Sequence, residues 1–174
     1  MKKKVDVSVI LCAYNEGNVI EKTMDMVYRV LMDTSWNYEI IVVDDGSFDD
    51  TKERAIYYGE KNGGDYLKVL GHQKNAGKGN AVKTGFKKAE GDFIVVIDSD
   101  LDVDPRYIPR YVEALKNVDI AVASKWHSNS NTSITLRRKI LSFGFNIVSR
   151  LLTGITLRDT QTGLKAFRRS VLER

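Results

Sequence analysis

Short apolar runs alternate along the chain with longer segments in which apolar residues recur every three or four positions. The short runs are rich in β-branched residues and predict strands, whereas the spaced pattern predicts helices. The predicted strands are 5–13, 38–43, 66–70, 92–97, 119–124 and 165–168. The predicted helices are 16–32, 49–61, 78–89, 105–116 and 136–152. Because most of these strands are apolar on both faces, we expect an α/β fold with a mostly parallel, doubly wound sheet and helices on both sides.

Length and composition are those of one ordinary globular domain. The chain has 174 residues, of which 43% are hydrophobic and 29% charged, so we expect a single domain over 1–174. The sequence contains no apolar run near the roughly 18 residues that cross a bilayer. Residues 1–5 are basic but lack the apolar region of a signal peptide, which predicts a cytoplasmic protein.

The residues able to bind a metal are mainly carboxylates. One cysteine, Cys12, and two histidines, His72 and His127, cannot form a zinc cluster. The net charge is +4, with acidic residues concentrated in the centre and basic residues in the C-terminal third. This distribution suggests a metal site beside an anion site rather than a nucleic-acid surface, and we interpret Arg168 and Arg169 as solvated charges.

Polar segments follow four of the predicted strands. They are residues 14–16, 44–47, 75–79 and 98–102. Right-handed connections place the carboxyl ends of parallel strands at one edge of the sheet, where ligands bind in folds of this kind. We therefore expect these four segments to line a single cleft.

Three familiar ligand-binding motifs are absent from these segments. The first turn lacks the three glycines of a dinucleotide site, a P-loop would need glycine at His72 and Ser or Thr at Gly79, and an EF-hand would need glycine at Val103. A receiver domain of two-component signalling stays open as an alternative, with Asp44–Asp45, Asp98 and Lys125 in its acidic and basic positions.

The acidic segment after the fourth strand predicts a site for a hard cation. Asp98 and Asp100 are two residues apart and would point to the same side of an extended segment. Asp102 would join them only if the backbone stays extended. Oxygen ligands of this kind suit Mg²⁺ or Mn²⁺. Asp104, just before Pro105, is instead expected to cap a helix.

Five sequence pieces, in order, resemble family 2 glycosyltransferases of the GT-A fold. Within that family the chain looks like the synthases of dolichyl-phosphate or polyprenyl-phosphate mannose and glucose. The pieces are VSVILCAYNE (7–16), EIIVVDDGS (39–47), NAGKGNA (75–81), GDFIVVIDSDL (91–101) and DTQTGLKAF (159–167). The resemblance implies a nucleotide-sugar donor, a divalent cation and a polyprenyl phosphate acceptor.

The resemblance also implies roles for particular residues. The donor would be bound by Ala13, Tyr14, Glu16, Val43, Asp45, Asp98, Ser99, Asp100 and Lys125, and the metal by Asp98, Asp100 and Asp102. The acceptor would be bound by Arg138, Lys139, Asp159 and Gln161, with Asp100, Arg138 and Asp159 as the catalytic residues.

The implied reaction is a single inverting displacement at the sugar's anomeric carbon. A phosphate acceptor is already largely ionised near neutral pH and needs little help from a base, whereas a sugar hydroxyl would need a general base, for which Asp159 is the candidate. The segment 75–81 looks more like glucose-transferring than mannose-transferring members, so UDP-glucose is expected ahead of GDP-mannose.

Two expectations concern the membrane and the C-terminal end. Helix 136–152 is interpreted as a core helix, and its apolar face behind Arg137–Lys139 would also suit a membrane interface. This would place the protein at the cytoplasmic face of a membrane. Relatives continue beyond the acceptor motif, so we expect the catalytic domain to lack its C-terminal part.

Overall fold

The computed structural model describes residues 4–62, 64–123 and 163–173. Residues 1–121 and 163–174 form one compact unit, and residues 122–162 form a second. Nearly all of the second unit, including the predicted helix 136–152, lies outside the described residues. The fold and the site below are those of the first unit.

Strands and helices alternate as the apolar pattern predicts. The strands are β1 (Val7–Ala13), β2 (Tyr38–Asp44), β3 (Leu67–Gly71), β4 (Phe93–Asp98), β5 (Ile120–Val122) and β6 (Leu164–Arg168). The helices are α1 (Ile20–Met32), α2 (Thr51–Asn62), α3 (Lys78–Lys88), a 3₁₀ turn (Pro105–Tyr107), α4 (Ile108–Ala114) and α5 (Arg169–Leu172). The Asp104 side chain accepts a hydrogen bond from the Arg106 amide, which confirms the predicted cap.

The described strands form one sheet in the order β3-β2-β1-β4-β6-β5. β1 lies in the middle and pairs in parallel with both β2 and β4. β6 pairs antiparallel with β4, with Phe93 opposite Arg168 and Ile97 opposite Leu164. The α/β prediction is confirmed, and the antiparallel strand makes the sheet mixed, which is common at one side of such sheets.

The core is built on both faces of the central strands. Alternate residues of a strand point to opposite faces. Ile10, Ile41 and Val96 belong to one buried cluster with Ala81 of α3. A Cβ added at Gly85 would lie 2.5 Å from Cγ2 of Ile10, so α3 packs closely on β1. The intervening residues of these strands are also fully buried, which explains why the strands read as continuous apolar runs.

Arg168, the last residue of β6, and Arg169, the first residue of α5, donate to backbone carbonyls that follow α4 and α3, so the interpretation of them as solvated charges was wrong. Arg168 donates from Nη2 to the carbonyl of Lys116 and from Nε to that of Leu115, just after α4. Arg169 donates to the carbonyls of Gly91 and Ala89 after α3. Carbonyls at helix ends lack intrahelical partners, and a guanidinium satisfies several at once.

Among the described helices, none combines the length and the hydrophobicity required to cross a bilayer.

Candidate active site

An open cleft of about 350 Å³ lies at the carboxyl ends of the central strands. It is lined by Cys12, Ala13, Tyr14, Glu16, Asp45, Asn75, Gly77, Lys78, Ala81, Asp98, Ser99 and Asp100. These residues come from the ends of β1, β2 and β4 and from the start of α3. The four polar segments singled out in the sequence therefore contribute to one cleft, as parallel topology requires.

The loop after β1 is held by side chains of the loop after β2 and of the first residue of α2. The amides of Asn15, Glu16 and Gly17 are the donors. Their acceptors are Ser47 Oγ at 2.9 Å, Thr51 Oγ1 at 2.8 Å and Asp49 Oδ2 at 3.0 Å, respectively. Because these amides already have acceptors, this loop is not organised as a backbone anion site, and bound phosphates would rely on side chains and cations.

The floor of the cleft joins β1 to β4. The hydroxyl of buried Ser99 donates to the Cys12 carbonyl at 2.8 Å, and the Thr23 hydroxyl donates to the Ser99 carbonyl at 2.7 Å. Burial, with the negative charge of Asp98 nearby, raises the pKa of the Cys12 thiol to about 12. The thiol therefore stays protonated near neutral pH and does not act as a nucleophile.

Asp98 and Asp100 both reach the cleft, but Asp102 does not line it. Leu101 has a φ of 61°, so the backbone turns after Asp100 instead of staying extended. The amide of Asp102 donates to Asp100 Oδ1 at 2.9 Å within that turn. Asp102 was expected to join Asp98 and Asp100 only if the backbone stays extended, and the turn at Leu101 means that this condition is not met.

Lys78, which the sequence did not mark as a site residue, forms an ion pair with Asp98. Its Nζ lies 2.6 Å from Oδ1 and 2.7 Å from Oδ2 of that carboxylate. Lys78 is the first residue of α3 and lines the cleft. Its signal in the sequence is its place in the 75–79 segment after β3.

The charge of the cleft is strongly negative around Glu16. Burial raises the pKa of Glu16, and the carboxylates of Asp100, Asp49, Asp102 and Asp98 raise it further. No group of three or more His, Cys, Asp or Glu side chains is arranged as a ready metal site within residues 4–62, 64–123 and 163–173. Two oxygen donors fit a Mg²⁺-type ion, which completes its shell with substrate phosphates and water. Asp98 and Asp100 both line the cleft, and the Asp98 carboxylate is paired with Lys78.

Asp45, only 4% exposed, is the centre of a hydrogen-bond network. It accepts from the amides of Ala76 at 3.0 Å and Gly77 at 2.8 Å, and it contacts Nδ1 of His72 at 2.6 Å. Burial alone would raise the pKa of Asp45, but these hydrogen bonds outweigh it and lower the pKa. The sequence did not single out His72 as a site residue, although it directly follows β3.

Several predicted site residues do not line the described part of the cleft. Val43 was expected to bind the donor, but its side chain is fully buried in the core cluster and does not line the cleft. Lys125, Arg138, Lys139, Asp159 and Gln161 all lie outside the described residues.

The chain belongs to glycosyl transferase family 2, whose family model matches residues 8–174. The fold is the GT-A fold that the motifs predicted. The receiver-domain alternative is set aside, because the family match covers nearly the whole chain.

Two curated relatives of the chain are named for dolichol or dolichyl phosphate. The chain is 38% identical to a dolichol-phosphate mannosyltransferase of Pyrococcus furiosus, over 96% of this chain and 47% of that protein. It is 32% identical to the human dolichyl-phosphate beta-glucosyltransferase, over 96% of this chain and 56% of that protein.

A solved structure is similar over nearly the whole chain. It is the glucosyl-3-phosphoglycerate synthase of Mycobacterium tuberculosis in complex with Mn²⁺, UDP-glucose and phosphoglyceric acid, with a TM-score of 0.69 and 26% identity. The match covers 97% of this chain and 58% of that one. The chain thus spans about half the length of the relatives it matches.

Proposed function

We propose that this protein transfers a hexose from a nucleotide sugar to a polyprenyl phosphate, with inversion and with the help of Mg²⁺ or Mn²⁺. The observation that carries the proposal is the cleft itself. It is lined by Asp98 and Asp100 at the end of β4 and by Ala13, Tyr14 and Asp45 at the ends of β1 and β2. The relatives named for dolichyl phosphate support the acceptor, and the Mn²⁺ and UDP-glucose complex supports the donor and the cation.

The side chains of the cleft divide the work of donor binding. Tyr14, Ala13 and Asp45 would hold the nucleoside, and Asp98 and Asp100 would hold the cation. That cation would neutralise charge on the departing nucleoside diphosphate. If the Lys78 side chain breaks its ion pair with Asp98, its ammonium group would add positive charge beside the diphosphate.

The acceptor phosphate would supply the nucleophile. One of its oxygens attacks the anomeric carbon while the bond from that carbon to the diphosphate oxygen breaks, which inverts the configuration. Arg138, Lys139 and Gln161 would bind the acceptor, with Asp159 orienting it and Lys125 close to the donor phosphates. Guanidinium binds phosphate through two parallel hydrogen bonds, which favours Arg138 as the main contact. This acceptor would be presented at the cytoplasmic face of a membrane.

UDP-glucose is the proposed donor ahead of GDP-mannose. The motif in residues 75–81 supports this order, and the neighbour that holds UDP-glucose is consistent with it. The relatives include both a mannosyltransferase and a glucosyltransferase. The order is tested by competition, and GDP displacing a labelled donor far better than UDP would reverse it.

The donor half is tested by replacing Asp100 with Ala. Calorimetry with UDP and Mn²⁺ should show that most of the affinity is lost, because the cation that bridges protein and diphosphate loses a ligand. Asp25→Ala, which removes an exposed carboxylate on α1 paired with Arg29, is the control and should bind normally. Equally tight, EDTA-insensitive UDP binding by the Asp100 variant would refute the role of the cation.

The acceptor half is tested by replacing Arg138 with Ala. Transfer from UDP-glucose to a short-chain polyprenyl phosphate should fall sharply, while UDP binding stays near normal. Transfer to a free sugar hydroxyl, with lipid phosphate ignored, would favour the alternative in which Asp159 acts as a general base.

A further inference from the structure

His72 connects the carboxylate of Asp45 to helix α3. Its Nδ1 lies 2.6 Å from Oδ1 of Asp45, and its Nε2 lies 2.9 Å from the hydroxyl oxygen of Thr84. The imidazole is 19% exposed and the Asp45 side chain 5% exposed, so both are held inside the protein. Because an ionised carboxylate only accepts hydrogen bonds, Nδ1 carries the hydrogen, and in the neutral ring Nε2 accepts from Thr84.

The contacts of Asp45 leave little of its carboxylate free for a ligand. A carboxylate has about four lone-pair sites, two on each oxygen. Oδ1 contacts both His72 Nδ1 and the Ala76 amide, and Oδ2 accepts from the Gly77 amide. One acceptor site therefore remains, on Oδ2, and Asp45 lines the cleft.

One remaining acceptor site discriminates between nucleobases. Uracil presents a single N–H donor between two carbonyl oxygens on its pairing edge. Guanine presents two adjacent donors, N1–H and the exocyclic amine, which match a carboxylate best through both of its oxygens. An Asp45 carboxylate whose Oδ1 is already occupied can satisfy the single donor of uracil but only half of the guanine pair.

We infer that His72 is a positioning residue that keeps Asp45 a single-acceptor contact, so that the cleft selects uridine over guanosine diphosphate. The inference rests on the proposed function, in that it assumes a nucleotide bound beside Asp45. It adds a cause for the choice of nucleotide, which neither the motifs nor the relatives provide. Thr84 takes part because its hydroxyl keeps the imidazole in the orientation that points Nδ1 at Asp45.

The test is calorimetric titration of the 174-residue protein with UDP and with GDP, each in the presence of Mn²⁺. His72→Leu removes both ring nitrogens, whereas His72→Asn retains a donor close to the position of Nδ1. We expect the wild type to prefer UDP. We expect His72→Leu to bind UDP about tenfold more weakly, as for the loss of one hydrogen bond to a charged group. Its preference for UDP over GDP should narrow, because Oδ1 then gains a free acceptor site beside the one that the Ala76 amide occupies.

The conservative variant separates positioning from general damage to the fold. His72→Asn should bind UDP within about threefold of wild type and keep the preference, since it still donates to Asp45. Thr84→Val should weaken UDP binding by a few-fold with little change in the melting curve. If His72→Leu does not fold, the other two variants carry the test. The inference is then supported if His72→Asn keeps the wild-type preference for UDP over GDP and Thr84→Val shows a smaller preference.

Other outcomes overturn it. Unchanged UDP affinity and unchanged preference in folded His72→Leu, or in Thr84→Val, would show that His72 does not position Asp45. A wild-type protein that prefers GDP would refute the base selection while leaving the proposed glycosyl transfer intact. A wild-type protein that binds neither nucleotide would refute the proposed function and this inference together.

Discussion

Replacing Asp45 with Asn tests how strongly the carboxylate network holds the cleft together. The change keeps the size of the side chain but turns one acceptor oxygen into an NH₂ donor. In the best arrangement, the remaining oxygen keeps its contacts with His72 and the Ala76 amide. The Gly77 amide, which in the wild type donates to Oδ2 at 2.8 Å, would face the NH₂ group of the asparagine in the variant.

The cost follows from these contacts. An unsatisfied amide costs about 1–3 kcal/mol, and a hydrogen bond to a neutral rather than a charged acceptor is weaker by roughly 1 kcal/mol. With two weakened bonds and one lost, and some access of water to the Ala76 and Gly77 amides, we expect a loss of about 3 kcal/mol. For a protein of this size that corresponds to a fall of roughly 6–12 °C in Tm.

The assay is urea unfolding at neutral pH followed by circular dichroism, with Asp25→Asn as the matched control. Asp25 forms an exposed ion pair with Arg29 on α1, so its replacement should cost no more than about 0.5 kcal/mol. If Asp45→Asn were as stable as that control, the network would contribute nothing measurable and the argument from buried acceptors would be refuted.

The pH dependence gives a second check on the same residue. The folded-state pKa of Asp45 is lowered below the ordinary Asp value, so its contribution to stability is present above the unfolded pKa of about 3.9. That contribution is lost as the pH falls through the folded pKa. The difference in stability between wild type and Asp45→Asn should therefore shrink below about pH 4. A difference that stays constant down to pH 2 would contradict an ionised, hydrogen-bonded Asp45.

Two further predictions concern the charges of the cleft. The pKa of Glu16 is raised in the folded protein, so its ionisation opposes folding above the unfolded pKa of about 4.3. Glu16→Gln should therefore raise Tm at pH 7, and this gain should disappear below about pH 4. A lower Tm of the variant at pH 7, in thermal scans without metal, would contradict repulsion between Glu16 and the neighbouring carboxylates. Lys78→Met removes the ammonium group that is paired with Asp98. Exposed ion pairs contribute about 0.2–1 kcal/mol, and this energy is no longer lost when Mn²⁺ binds Asp98. In the absence of nucleotide, the variant should therefore bind Mn²⁺ up to about fivefold more tightly. Titration of the Mn²⁺ paramagnetic resonance signal measures this affinity, and equal or weaker Mn²⁺ binding would show that Lys78 does not compete with the cation.

Local sequence determined most of the secondary structure and the position of the cleft. The apolar runs predicted β1 to β4 within two residues at each end, because a strand buried on both faces leaves a continuous apolar record. The cleft followed from topology, since polar segments after parallel strands gather at one edge. Tyr14, Asp45 and Asp98 line that cleft, as both the segments and the family resemblance indicated.

What only the tertiary structure decided are contacts between residues far apart in the chain. The His72–Asp45 bond spans 27 residues and the Lys78–Asp98 pair spans 20. Whether such side chains meet depends on strand register and on how α3 packs against the sheet, neither of which the local pattern contains. The same holds for β6, whose apolar residues predict a strand but not its antiparallel place beside β4. Hydrophobic periodicity shows which face of a strand or helix is buried. The partner of a polar side chain, in contrast, is determined only when the secondary-structure elements have packed together in the folded protein.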